Sequence, residues 1–239
     1  MRQSYIFFLM CADSIIEKEN PLKVVRNNNF LPQPAMIRFI AKFISYIFHP
    51  VFVPLYIVIF LVYVHPWIFA GFSEVDKSRT VIMSALMYTF FPMVTVLLLK
   101  ALKFIRTFQL ATQRDRIIPL VACGIWYFWI WYVWRNLPEY PASAIKLALA
   151  IWISASLGLM ANIIMKVSLH AISMGVMLTF IFFLAFTQSL NFGIYLSVAL
   201  LITGLVCTSR FIASDHEPKE IYGGLVVGAV SMGVVGWLG

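Results

Sequence analysis

The sequence predicts an all-α fold: a polytopic transmembrane helical bundle of about six to seven spans, with a polar site at one membrane face. Two observations predict it. Of the 239 residues, 62% are hydrophobic and 12% are charged, about half the charged share of a soluble domain. In addition, Asp, Glu, Lys and Arg are absent from 51–73, 80–99, 117–134, 147–165, 167–209 and 221–239. A bilayer core requires about 20 apolar residues of helix. The longest run, 167–209, holds two spans divided at Thr187-Gln188-Ser189-Leu190-Asn191, which makes seven segments. These runs are continuous rather than alternating, which selects helices over a barrel.

Taken in order, residues 1–35 read as a tail: either a flexible segment or an extension upstream of a start at Met36. The apolar run Tyr5–Ala12 follows Arg2 as a signal peptide would, but no A-x-A site succeeds it. Residues 36–239 read as a single membrane-embedded domain. It opens with Arg38, Lys42, Ser45 and His49 at steps of four, three and four. That spacing makes one polar helical face and predicts a basic interfacial helix over 36–49, ended by Pro50. His49 has no acidic neighbour in sequence to make it a catalytic base. Pro54, Pro66 and Pro92 are expected to kink or end spans, and WYFWIWYVW at 126–134 to form span and interfacial belt. Cys11, Cys123 and Cys207 show no paired spacing and read as free thiols.

Chain parity sorts the polar residues. If all seven segments cross, the loops around 100–116, 166 and 210–220 share one side. These hold Arg106, Arg114, Asp115 and Arg116, then Lys166-Val167-Ser168-Leu169-His170, then CTSRFIASDHEPKE at 207–220. The other side carries only four of the 18 Lys and Arg: Lys77, Arg79, Arg135 and Lys146. The surplus behind the net charge of +8 suits anionic lipid headgroups; spans on this scale exclude nucleic acid as the partner.

The equipped face gathers fixed cations, two histidines, a small hydroxyl and carboxylates beside His216. Guanidinium groups pair bidentately with phosphate oxygens. A histidine oriented by a carboxylate can attack phosphorus, and a second can protonate the departing oxygen. Surrounding cations stabilise the transferring phosphoryl group. This inventory fits phosphoryl transfer through a phosphohistidine.

Ser209-Arg210, five residues, His216, three residues, then Glu220 resembles the third motif, S-R-x5-H-x3-D, of the type 2 phosphatidic acid phosphatase superfamily. Val167-Ser168-Leu169-His170 resembles the second, P-S-G-H. The resemblance covers roughly 100–239 and is most specific over 209–220. It implies His216 as nucleophile, Glu220 as its orienting carboxylate and His170 as general acid. Arg210 and the Ser168 hydroxyl would hold phosphate oxygens.

The chain departs from the pattern at several points. Glu replaces the motif's Asp, Val167 and Leu169 replace its Pro and Gly, and the first motif, K-x6-R-P, is missing in that form. Arg114 and Arg116 in QRDRIIP are the nearest counterparts, and Lys166 is placed to supply the lysine charge four residues before His170.

No aspartate-rich D-D-x-x-D run, P-loop, G-x-G-x-x-G or H-E-x-x-H is present. The expected chemistry is therefore metal-independent and free of cofactors. The substrate would be a lipid phosphate in the bilayer, with phosphatidate, phosphatidylglycerophosphate and isoprenoid diphosphates all suitable. The expected setting is the cytoplasmic membrane of a bacterium. Lys and Arg excess would put the equipped face in the cytosol, whereas the resemblance implies an outward site.

Two other readings use the same residues. One is a catalytically inactive relative that still binds phospholipid. The other is a proton-coupled transporter in which His170, His216 and Glu220 relay protons. Taken singly, Arg210 and Lys219 also fit ordinary snorkelling anchors.

Overall fold

The computed structural model describes residues 34–105, 113–188, 190–213 and 217–238, without the side chains of 113–115. The compact unit considered below is Ala35–Gly239. Among the described residues every regular element is a helix. We number them α1 (Ala35–Ile47), α2 (Val53–Val64), α3 (Glu74–Ala101), α4 (Gln113–Arg135), α5 (Ala142–Ile164), α6 (Leu169–Thr187), α7 (Gly193–Ala213) and α8 (Pro218–Leu238). Six of them, α3 to α8, are long and apolar enough to cross a membrane. The protein is a multi-pass helical membrane protein.

The seventh apolar stretch, 51–73, does not form a full-length span. Its helix α2 covers about 18 Å at 1.5 Å per residue, short of a hydrocarbon core of about 30 Å. The cause is local. Pro66 disfavours helical geometry in the residue before it, and His65 is extended at φ −75°, ψ 125°. The chain nevertheless runs from one end of the bundle to the other here. His49 lies beside His170, while His65 lies beside Phe192, 5.7 Å between ring centroids.

α3 begins at Ser73, whose hydroxyl accepts from the Asp76 N–H at 3.2 Å, and Glu74 and Asp76 occupy its first turn. Both features suit a helix N-terminus. Within α3 the turns widen to π geometry over Ala85–Phe90, immediately before Pro92. Proline lacks an N–H and crowds the carbonyl four residues back, and a π turn is one way a helix absorbs such a misfit. The aromatic run 126–134 mostly packs helix on helix. The Trp126 Nε1–H donates to Thr95 Oγ1 at 3.0 Å, Trp131 stacks on Trp152, and Trp134 is buried against Tyr140. Trp129 and Tyr132 remain exposed on the outer face.

α6 is the most enclosed span, contacting α2, α5, α7 and α8. Its seam with α8 is built on glycine. A Cβ at Gly224 would sit 2.7 Å from the Ser168 carbonyl oxygen, and one at Gly228 or Gly175 would meet the facing backbone. Small residues let membrane helices approach backbone to backbone. This close approach matters for the site, because it draws the start of α8 onto the start of α6.

α1 packs on α7 through its Ala41 and Ser45 face, where the Ser45 and Ser209 hydroxyls are 3.0 Å apart. Met36, Phe39, Phe43 and Tyr46 are left exposed, alongside exposed Arg38 and Lys42. Ser45 thus belongs to the packing seam rather than to a solvated basic face.

Candidate functional site

One end of the bundle encloses a cavity of about 530 Å³. Its polar wall comes from four elements far apart in sequence: His49 before α2, Arg116 on α4, His170 and Ser173 on α6, and Arg210 on α7. Below them the lining turns apolar, with Ile57, Val96, Leu120, Ile151 and Val176, and reaches Tyr127. From Arg116 to Tyr127 along α4 is roughly 16 Å of helix. The cavity is a charged mouth above an apolar shaft.

Each polar group is held by its element. The Arg116 Nη1–H donates to the Val167 carbonyl at 2.7 Å, binding α4 to the loop before α6. Arg116 is attracted by Glu220 in the first turn of α8 and is close enough to Arg210 for the two guanidinium groups to repel. The Ser168 N–H donates to the Glu220 carbonyl at 3.0 Å. The segments around Arg116, Ser168 and Glu220 are thereby joined, although 104 residues separate the first from the last.

His170 is fixed by α1. Its Nε2 lies 3.1 Å from the Ser45 carbonyl oxygen. A carbonyl can only accept, so that nitrogen carries the hydrogen and donates. Ser45 is in the last turn of α1, where carbonyls lack helical partners and a histidine is favoured. The His49 ring meets His170 edge to face, 5.3 Å between centroids. Its surface remains exposed, yet the surrounding protein holds its pKa below the usual histidine value, and Arg210 lowers it further.

The structure thus brings together three of the residues singled out from sequence: Arg116, His170 and Arg210. Among the described residues the cavity wall does not include Ser168, Lys166 or Glu220. Ser168 is fully buried and serves as the N-cap of α6, its hydroxyl accepting from the Ala171 N–H at 3.4 Å. The physical reason is the Gly224 contact, which lays α8 directly over it. His216 and the side chain of Arg114 lie outside the described residues.

Sequence reasoning passed over His49 for want of a neighbouring carboxylate. The relevant neighbours are cations and a second histidine from other helices, which spacing along the chain does not reveal. Comparison with family models, with curated proteins and with solved structures returned no match.

Proposed function

We propose that this chain is an integral-membrane, metal-independent phosphatase of lipid phosphates or isoprenoid diphosphates, acting through a phosphohistidine on His216. The observation that carries the reading is that Arg116 and Arg210 line the mouth of a largely apolar cavity, with His170 in the same wall. Two guanidinium groups lining one cavity can both reach an anion bound there, and a tetrahedral phosphate offers oxygens to both. The apolar shaft supports a lipid rather than a soluble ester, since a phosphate at the mouth would leave its chain among Ile57, Ile151 and Val176. The order S-x-H then S-R-x5-H-x3-E supports membership of the type 2 phosphatidic acid phosphatase superfamily, as a divergent branch.

In this reading His216 attacks phosphorus, Glu220 orients it, and His170, its Nε2–H held by the Ser45 carbonyl, delivers a proton from Nδ1 to the leaving oxygen. Arg116 and Arg210 stabilise the charge on the equatorial oxygens. Arg116 would serve as the counterpart of the missing first motif, a reading supported by its bond to the Val167 carbonyl next to the second.

The test is phosphate release from a panel of lipid phosphates and diphosphates by the purified protein in detergent with EDTA. Release that persists in EDTA is expected; release abolished by EDTA would contradict the mechanism. No release from any lipid, by a folded protein that still binds phosphate, would identify an inactive phospholipid-binding relative. A further expected result concerns the shaft. Ala155 lines it, so Ala155→Trp should cut release from long-chain lipid phosphates by about tenfold or more, as a loss of apolar burial of 1.4 kcal/mol or so implies. Binding of inorganic phosphate should be unchanged, and calorimetry measures that directly.

A further inference from the structure

We propose that His49 is an anion-binding residue of this cavity, donating from Nε2 to an oxygen of a tetrahedral phosphate-like dianion and taking up one proton as that dianion binds. The proposal rests on the reading of the cavity as a phosphate site, and adds to it a residue lying outside the motifs that suggested that reading.

Four observations carry it. His49 lines the same cavity as Arg116, His170 and Arg210. Its ring is 5.3 Å from that of His170, so a ligand oxygen reaching one imidazole lies near the other. Its Nδ1 faces the Val51 N–H at 3.4 Å, which can only donate. The neutral ring therefore carries its hydrogen on Nε2, the nitrogen left to meet a ligand. Finally, the residue is placed by short backbone bonds: its carbonyl accepts from the Phe52 N–H at 2.8 Å and the Val53 N–H at 3.3 Å, turning the chain sharply into α2.

The titratable and charged groups sharing the cavity are Arg116 and, deeper, Cys123 and Tyr127 from α4, His170 from α6 and Arg210 from α7. Among the described residues no carboxylate lines it. In such surroundings a neutral imidazole is favoured while the cavity holds no anion, first because the surrounding protein withholds water from the charged ring and second because protonation would add a cation beside Arg210. A dianion reverses the sign of the local field. One proton then moves from bulk water to Nδ1, which gives up its contact with Val51, and Nε2–H remains the donor to the ligand. No bond to phosphorus forms or breaks in this step. The sign follows: the anion raises the histidine pKa, so anion affinity falls as pH rises from the free value, below 6.5, to the bound value.

Sulfate tests this, because it stays a dianion while histidine titrates, from about pH 5.5 to about pH 8.5. Sodium sulfate is titrated calorimetrically into the full-length protein in detergent, in buffers of differing ionisation heat. The wild type should bind sulfate with uptake of close to one proton in the steep region. Its affinity should fall about tenfold across the range, within the tenfold per pH unit that one proton permits. His49→Gln, with His49→Asn as a second variant checked for monodispersity and helicity, should bind more weakly at low pH and change less than about twofold across the range. His170→Gln should keep the slope.

An unchanged slope and proton count in both His49 variants would overturn the role of His49 while leaving the anion site standing. A slope lost in His170→Gln but kept in His49→Gln would overturn it in favour of His170. No sulfate binding by the wild type would overturn both this proposal and the phosphate-site reading. Competition identifies the source of the dianion. Dodecyl phosphate should displace sulfate at lower concentration than inorganic phosphate, and equal potency would overturn a lipid source.

Discussion

Alanine at His216 should lower phosphate release from lipid phosphates by on the order of 10⁴-fold or more, the scale seen when a nucleophile is removed. The variant should still bind inorganic phosphate, because Arg116 and Arg210 both line the cavity. Arg210→Ala should behave differently. On the proposed mechanism it removes one stabiliser of developing charge, and about 10²- to 10³-fold of activity should go with it. Arg210→Lys should recover part of that loss, since it restores the charge but not the two-pronged geometry. Single-turnover release, with acid-labile phosphate on the protein as a second readout, separates these cases. Equal activity in wild type and His216→Ala would remove the phosphohistidine mechanism. A loss in Arg210→Ala with no loss in His216→Ala would keep the cavity as the site of release and assign the attack to a group other than His216.

The second large effect is on stability. Leucine at Gly228 should force α6 and α8 apart, because a Cβ there meets the Ile172 carbonyl, lies 2.8 Å from the Val176 nitrogen and 2.9 Å from the Gly175 Cα. These are backbone atoms and cannot swing aside as a side chain would. Overpacking a seam of this kind costs roughly 3 kcal/mol or more, or a fall of about 6–12 °C in the denaturation midpoint of a chain this size. Gly233 is the control on the same helix. Nothing lies within 4 Å of a Cβ built there, so Gly233→Ala should leave the midpoint unchanged or raise it slightly through helix propensity. Thermal denaturation of the detergent-solubilised protein, followed by helicity, compares the two. Activity should fall with Gly228→Leu as well, since the same seam draws Ser168 to the Glu220 carbonyl.

The sequence by itself determined the helices, and did so because crossing a membrane is a local requirement. Each span must carry its own apolar surface and close its own backbone hydrogen bonds, so an uncharged run of about 20 residues is legible without knowledge of its neighbours. The division of 167–209 at Thr187–Asn191 was visible in this way, and α6 ends at Thr187 while α7 begins at Gly193. The shortening of 51–73 had its signal too, in Pro66, but the length of the run outweighed it.

The site was legible only in part. Ser-x-His and Ser-Arg-x5-His-x3-Glu mark residues by type and spacing. Which of those side chains face a common space depends on how helices rotate and approach. His49, Arg116, His170 and Arg210 meet because α1 caps its last turn on His170, Arg116 hangs on Val167, and glycines bring α8 against α6. The same seam buries Ser168 as a helix cap instead of presenting its hydroxyl to the cavity. Tertiary structure decided these points because a contact between residues fifty or more positions apart is set by the packing of whole helices. No local pattern encodes it.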